Sequence, residues 1–289
     1  MFKIVLTVIM TLVMGWLATP EIHADLREIK ESGVLRHLGV PYSNFVTGDG
    51  DGLDVEILKM YSSEIGVRYE HIPTSWETVI SDLSGKRIIP KGDDLEIVGE
   101  TQVKGDIVGN GLTVLPWRRK VILFSDPYFP TAIWVLARAD SSLNPIAPSG
   151  DHQKDVALTK DLLVGREILG IRETCLDPDL YNLQECSSIY KEGLQLNDLP
   201  AAIVKGDCEL VLQDAPDALL ALSKYPAKVK VIGALTEQQF MAFGISKDSP
   251  NLLESFNNFL KKLRDNGTLR ELIIKYYPLT TNYFPNAGR

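Results

Sequence analysis

The sequence is poor in the residues that build metal and redox centres. It contains only three cysteines and four histidines, and they form no cluster with the spacing of a zinc site. We therefore expect neither a metal nor a cofactor. An excess of positive charge is also missing, since the formal net charge is −8. Because a phosphate backbone requires a basic surface, this charge argues against a nucleic-acid partner.

Long apolar runs are missing after the N-terminus. The early run from Ile4 to Leu17 follows Lys3 and is shorter than the roughly 20 apolar residues of a bilayer span. This pattern is typical of a secretory signal peptide that is cleaved after Ala24, and an uncleaved membrane anchor is the alternative. With no cysteine near that junction, a lipoprotein anchor has no attachment point. We predict an exported, soluble, monomeric protein of the periplasm.

The cysteines all lie in the second half of the chain, at Cys175, Cys186 and Cys208. In an oxidising compartment, a bridge between Cys175 and Cys186 would close a short loop. Cys208, in "GDCELVLQD", is interpreted as a small buried apolar residue. The sequence leaves the state of the first two cysteines open.

Strand-like and helix-like segments alternate along the rest of the chain. "VLRHLGV" precedes a helix for which Asp54 is the predicted N-cap, and "VRYEHI" precedes one with Thr74 and Glu77 as a capping box. The stretch from Arg87 to Lys104 interrupts this alternation and is predicted to be an inserted hairpin. The alternation itself predicts an α/β fold in two lobes, with parallel sheets covered by helices on both faces.

One mostly apolar segment carries two adjacent arginines: "NGLTVLPWRRKVILFSDPYF", Asn110 to Phe129. Arg118 follows Thr113 by five residues, just after a predicted strand, and ligands of open α/β sheets bind at the carboxyl ends of strands. The guanidinium group of an arginine matches a carboxylate with two parallel hydrogen bonds. The alternative is a solvated face formed by Arg118, Arg119 and Lys120.

This segment closely resembles the "GMTITPERxxxVDFSDPYY" stretch of solute-binding proteins for polar amino acids. These are family 3 of the type II periplasmic binding proteins of ABC transporters. The C-terminal "LLESFNNFLKKLRDNGTLRELIIKYY" is similar to their "LxxAxNxALxxLxxDGTxxxIxxKYF", and the likeness covers nearly the whole mature chain. It implies two lobes, each a mostly parallel sheet flanked by helices, and a hinge of two crossovers near "IWVLARA" and "AFGISKDS".

The implied domain boundaries follow from the same resemblance. Residues 1–24 would be the signal peptide. Residues 25–131 together with 247–289 would form the first lobe, and residues 132–246 the second. The first lobe would bind the ligand in the open state, and the second would complete the site on closure.

The resemblance also implies roles for particular residues. Arg118 would hold the α-carboxylate of the ligand, helped by Thr113 and by the backbone around Asn110 and Gly111. Asp214, in "LVLQDAP", would pair with the α-ammonium group, although an aspartate there also suits a helix N-cap.

Two aromatic residues of the first lobe are implied to contact the ligand. Tyr42 matches the aromatic residue of the family's first loop, and Trp76 matches the residue that packs on the ligand side chain. The spacing of Trp76 from Val79 and Ile80 also fits a core position.

The chain departs from the family pattern at two parts of the site. Leu115 stands where the family commonly has threonine or serine. In the second lobe, "RETCLDP" replaces a Gly-Thr-Thr signature, so Thr174 or Cys175 would take the equivalent place. These departures concern the class of ligand rather than the fold.

The function implied is that of a binding protein, not an enzyme. It would capture a small carboxylate, an amino acid by the family pattern, and deliver it to an ABC-type permease. One alternative is a periplasmic dehydratase of the cyclohexadienyl type, in which Glu173 would serve as acid or base. The other is an accessory protein of a periplasmic redox enzyme, with the altered second-lobe site and the inserted hairpin as a docking surface.

Overall fold

The computed structural model describes residues 23–183 and 185–289. The predicted signal peptide, residues 1–24, therefore lies outside the described residues except for its last two. Among the described residues, no helix combines the length and the apolar character that a membrane crossing requires.

The chain first builds most of one lobe and then crosses to the second. The elements of this first part are α1 (Leu26–Ser32), β1 (Val34–Gly39), α2 (Leu53–Ile65), β2 (Arg68–Pro73), α3 (Val79–Ser84), β3 (Lys86–Lys91), β4 (Asp94–Glu100), β5 (Ile107–Val108), α4 (Pro116–Arg119), β6 (Ile122–Phe124) and β7 (Phe129–Thr131).

The middle of the chain forms the second lobe, and the C-terminal part returns to the first. The second-lobe elements are β8 (Ile133–Arg138), α5 (His152–Leu162), β9 (Glu167–Leu169), β10 (Ser187–Ile189), α6 (Leu199–Lys205), β11 (Leu210–Asp214), α7 (Ala215–Lys224) and β12 (Val229–Ala234). They are followed by β13 (Gln239–Met241), β14 (Gly244–Ser246), α8 (Pro250–Asp265), α9 (Thr268–Tyr276) and α10 (Thr280–Tyr283).

Each lobe contains one five-stranded sheet, in the order β2-β1-β5-β14-β6 in the first lobe and β10-β9-β11-β8-β12 in the second. Strands β14 and β8 run antiparallel to both of their neighbours, and the other ladders are parallel. Four strands of each sheet thus share one direction, which confirms the predicted two-lobed α/β fold. The central strands are fully buried because helices cover both faces, as at Ile107, Val108, Leu210 and Val211.

The lobes are joined by a two-stranded ribbon in which β7 and β13 pair antiparallel, with Pro130 opposite Phe240. The sequence placed the crossovers one element later. "IWVLARA" is instead a central strand of the second sheet, and β14, within "AFGISKDS", pairs with β5 and β6 in the first. A short strand in a hinge and a short strand in a sheet have the same apolar sequence pattern, so the sequence alone could not distinguish the two.

The inserted hairpin is confirmed, whereas two predicted helix caps are wrong. Strands β3 and β4 pair antiparallel. Gly52, not Asp54, is the N-cap residue of α2. Helix α3 begins only at Val79, and the Thr74 hydroxyl donates to Asp82 at 2.6 Å instead of capping the helix. Both polar groups are used by tertiary contacts that the local sequence does not reveal.

Candidate functional site

Arg118 is a buried cation that forms no ion pair within 4 Å among the described residues. It lies on α4 and is only 1% exposed. Its Nη1 donates to the Thr113 carbonyl oxygen at 2.9 Å, but its Nε has no hydrogen-bond partner among the described residues. Burial lowers the pKa of Arg118, and the nearby Cys175 and Asp214 partly offset this decrease. Because a buried charge is costly unless it is paired, this group is suited to an anionic ligand.

The neighbouring arginine has the opposite environment. Arg119 is exposed, and its guanidinium group lies 5.6 Å from the ring centre of Phe124. Lys120 is also exposed and forms an ion pair with Asp94 of the hairpin at 2.9 Å. Only Arg118 of this basic run is therefore directed into the protein.

Further unpaired polar groups accompany Arg118. The Thr113 hydroxyl and both amide atoms of Asn110 are buried without a hydrogen-bond partner in the described chain. Gly111, between them, has a φ of +64°, and a Cβ atom there would lie 2.5 Å from the Phe45 ring. Its N–H donates to Asp54 at 2.8 Å. That N–H is therefore already engaged within the protein.

Asp214 supplies the opposite charge from the second lobe. It occupies the N-cap position of α7, yet its side chain makes no capping hydrogen bond. Instead it accepts hydrogen bonds from Tyr42 Oη at 2.8 Å, Thr131 Oγ1 at 3.1 Å and Cys175 Sγ at 3.4 Å. Burial raises the pKa of Asp214, and these bonds partly offset the increase. The carboxylate thus faces the interlobe region rather than its own helix.

The two predicted aromatic residues meet beside Asp214. The ring centres of Tyr42 and Trp76 lie 5.5 Å apart, edge to face, and Tyr42 stacks on Phe45 at 6.0 Å. Because Tyr42 belongs to the first lobe, its bond to Asp214 joins the lobes. A second interlobe bond runs from the Ser43 N–H to Asn197 Oδ1 at 2.8 Å. The structure therefore represents a closed arrangement.

Thr174 and Cys175 differ in what they contact. The Thr174 hydroxyl donates to the Ile171 carbonyl at 2.8 Å and accepts from the Leu176 N–H at 3.0 Å, so it holds its own turn together. The Cys175 thiol points to Asp214, and burial raises the pKa of this thiol far above its usual value. All three cysteines are free, so the Cys175–Cys186 bridge does not form here. Cys175 is directed to Asp214 instead.

The site thus brings together an unpaired buried cation and a buried carboxylate on opposite lobes. Sequence reasoning found both of these groups but missed Thr131 as a partner of Asp214. No group of three or more potential metal ligands is present among the described residues. Chemically, the arrangement is complementary to a small molecule that carries an anionic group and a cationic group.

Known proteins resemble this chain in both sequence and fold. Residues 97–278 match the model of bacterial extracellular solute-binding proteins, family 3. The L-cystine-binding protein of Escherichia coli (strain K12) is 23% identical over 87% of this chain and 85% of its own. A mutant of the arginine-binding protein ArgBP from T. maritima has a TM-score of 0.69 and 22% identity, over 88% of this chain and 99% of its own.

A second group of relatives is longer than this chain. The membrane-bound lytic murein transglycosylase F of Pseudomonas putida (strain W619) is 26% identical over 88% of this chain. The match covers 48% of that enzyme, so the chain spans about half the length of the curated transglycosylases it resembles.

Proposed function

Because the chain belongs to family 3 of the bacterial extracellular solute-binding proteins, we propose that it binds an amino acid between its lobes. The observation that carries this proposal is the buried, unpaired guanidinium group of Arg118. The α-carboxylate of the ligand would accept hydrogen bonds from Arg118, with the Thr113 hydroxyl beside it. Such charge-assisted bonds are about twice as strong as neutral ones.

The α-ammonium group would bind on the other side of the site. Asp214 is a buried carboxylate with its two oxygens directed away from α7. An ammonium group would join Tyr42 and Thr131 as a donor to it and would hold the carboxyl group in its charged form. The cystine-binding and arginine-binding relatives support an amino-acid ligand for this chain.

Ligand binding would be coupled to closure of the lobes. A ligand shifts such an equilibrium only through contacts that differ between the two states. Arg118 is on the first lobe and Asp214 on the second, so a ligand that contacts both favours closure. We propose that an ABC-type permease recognises this closed form and that the protein acts as a monomer in the periplasm. Glu173, the residue that the dehydratase alternative requires, is exposed and takes no part in the hydrogen bonds to Asp214.

The test is a thermal-shift screen of L-amino acids on the parent and on Arg118→Met, with Arg119→Met as the matched control. A ligand at about 100 times its Kd adds about 2.7 kcal/mol to stability. We expect the parent and the Arg119 variant to be stabilised by the same amino acid and the Arg118 variant not to be. Equal stabilisation of all three proteins would show that the carboxylate site is elsewhere. In the same assay, Asp214→Asn should selectively weaken ligands with an α-ammonium group relative to their deaminated analogues.

A further inference from the structure

A separate cavity of about 550 Å³ lies at the seam between the two lobes. This volume is within the range of about 300 to 1,000 Å³ that is usual for small-molecule sites. Neither Arg118 nor Asp214 lines the cavity. Its walls come from both lobes and include Ser43, Asn44, Asn197, Gln213, Asp217 and Tyr225.

Asp217 is the acidic group in the lining of this cavity. It is 4% exposed, and neither carboxylate oxygen has a hydrogen-bond partner among the described residues. Burial, and to a smaller extent the nearby Asp214, raises the pKa of Asp217 to about 7. The hydroxyl groups of Ser43 and Tyr42 lie close enough to offset part of this increase, but neither reaches hydrogen-bonding geometry. Its place in the first turn of α7 lets the helix dipole reduce the cost of the charge. The dipole supplies no hydrogen bond, so the acceptor capacity of this carboxylate is unused.

Gln213 adds a second unused acceptor. It is 2% exposed, and its Oε1 atom has no partner in the described chain. It immediately precedes Asp214 at the end of β11, and successive side chains of a strand point to opposite faces of the sheet. Gln213 therefore faces this cavity while Asp214 faces the Arg118 site.

We propose that this cavity binds a small organic cation, with its ammonium or guanidinium group held by the Asp217 carboxylate and the Gln213 amide oxygen. Ammonium and guanidinium groups carry several N–H donors and no acceptor, which complements two buried acceptors. A cation here would contact residues of both lobes and so stabilise the closed arrangement. The proposal does not depend on the amino-acid site, because it uses neither Arg118 nor Asp214.

The chain itself offers one cation at the rim. Lys224 also lines the cavity, but it is exposed, and its Nζ lies 5.5 Å from the ring centre of Tyr225. It thus lies at the mouth, while the unpaired oxygens of Asp217 and Gln213 are buried. A bound cation would contact these buried acceptors, and the lining also contains the aromatic ring of Tyr225, which is a favourable neighbour for positive charge.

The test measures binding of putrescine and of agmatine by calorimetry at constant ionic strength. The uncharged control of similar length is 1,4-butanediol. The variants are Asp217→Asn, which keeps the side-chain shape, and Asp161→Asn, which removes an exposed charge elsewhere on the second lobe. Loss of a hydrogen bond to a charged group should weaken binding about tenfold or more. We expect saturable binding of at least one amine by the parent and by the Asp161 variant, weakened in the Asp217 variant and absent for the diol.

Arg118→Met separates this proposal from the amino-acid site. It should abolish amino-acid binding and leave amine binding within about twofold, whereas Asp217→Asn should weaken amine binding while still binding the amino acid. The proposal is overturned if neither amine binds the parent, if the diol binds equally well, or if Asp217→Asn binds the amines as tightly as the parent. Melting temperatures of all variants, measured without additives, establish that each protein is folded.

Discussion

The two halves of the Arg118–Asp214 site differ in how far their buried polar groups are hydrogen-bonded within the closed protein. On the first-lobe side, Arg118 Nε, the Thr113 hydroxyl and the Asn110 amide are buried without partners in the described chain. On the second-lobe side, the Asp214 carboxylate already accepts three hydrogen bonds. One half therefore has unused donors, while the other has its charge largely satisfied by the protein.

This difference indicates which half of the site is the less stable one. Unpaired buried polar groups each cost about 1–3 kcal/mol, so the first-lobe half is the less stable of the two within the closed protein. The second-lobe half is stabilised by Tyr42, a residue of the opposite lobe. Asp214 thus contributes to closure by itself, and under the proposed function Arg118 would make closure depend on the ligand.

The largest predicted effect concerns Asp54, which accepts a hydrogen bond from Gly111 on the first-lobe side of the site. Asp54 is fully buried, accepts from the Gly111 N–H and from Tyr128 Oη at 2.5 Å, and burial raises its pKa to about 7. Because the folded pKa exceeds the unfolded value, the folded state keeps its proton as pH rises, and stability falls between about pH 4 and pH 7. At about 1.4 kcal/mol per unit, the loss is roughly 4 kcal/mol.

Asp54→Asn mimics the protonated carboxyl group and should remove this loss. Urea unfolding of parent and variant at about pH 4 and pH 8 gives the measurement. We expect the variant to gain roughly 4 kcal/mol relative to the parent over this interval. Asp126→Asn, an exposed first-lobe change, is the control. Parallel pH profiles for the Asp54 variant and the parent would contradict a raised pKa at Asp54.

A smaller effect is predicted for the hydrogen bond between Tyr42 and Asp214, which joins the two halves of the site. Tyr42→Phe removes the 2.8 Å bond to Asp214 but keeps the ring beside Trp76. A hydrogen bond to a charged group contributes about 1.5–3 kcal/mol, so the variant should open more in the absence of ligand. Small-angle scattering should show a larger radius of gyration. Tyr61→Phe, which removes a tyrosine bond to Ser255 within the first lobe, should not change it, and an unchanged radius for both variants would refute the role of Tyr42.

The smallest effect on binding is expected at Thr174. Its hydroxyl serves its own turn, so Thr174→Val should lower stability by about 1 kcal/mol and leave amino-acid affinity within about twofold of the parent. Thr174→Ser, which retains the hydroxyl, is the control. A tenfold loss of affinity in the valine variant, with the serine variant unaffected, would return Thr174 to the set of ligand contacts.

Some parts of the fold and site could be predicted from the sequence because they depend on local pattern. The alternation of strand-like and helix-like segments predicted the α/β class. The position of Arg118 after a strand left a solvated face open, and only the resemblance to the solute-binding proteins implied that Arg118 faces the ligand. The hairpin at Arg87–Lys104 was predicted because this stretch is rich in glycine, charged and β-branched residues.

Other parts depend on contacts between residues far apart in the chain. Asp54 and Thr74 both looked like helix caps, but each is used by a tertiary hydrogen bond. The approach of Tyr42 to Asp214 joins residues 172 positions apart, and no local pattern encodes it. For Asp217 a signal was present: it follows Asp214 by three residues at the start of a helix, where such a pair lies on neighbouring positions.

The ribbon of β7 and β13 also has a mechanical consequence. Thr131, which donates to Asp214, is part of β7, and Thr113 forms a bridge with Met241 of β13. If the lobes rotate about this ribbon, each atom travels in proportion to its distance from the axis. The Asp214 carboxylate is hydrogen-bonded to Thr131 of the ribbon and would therefore move little, whereas atoms far from the ribbon would move furthest. The Asp214 carboxylate therefore lies where a rotation of the lobes would change its position least.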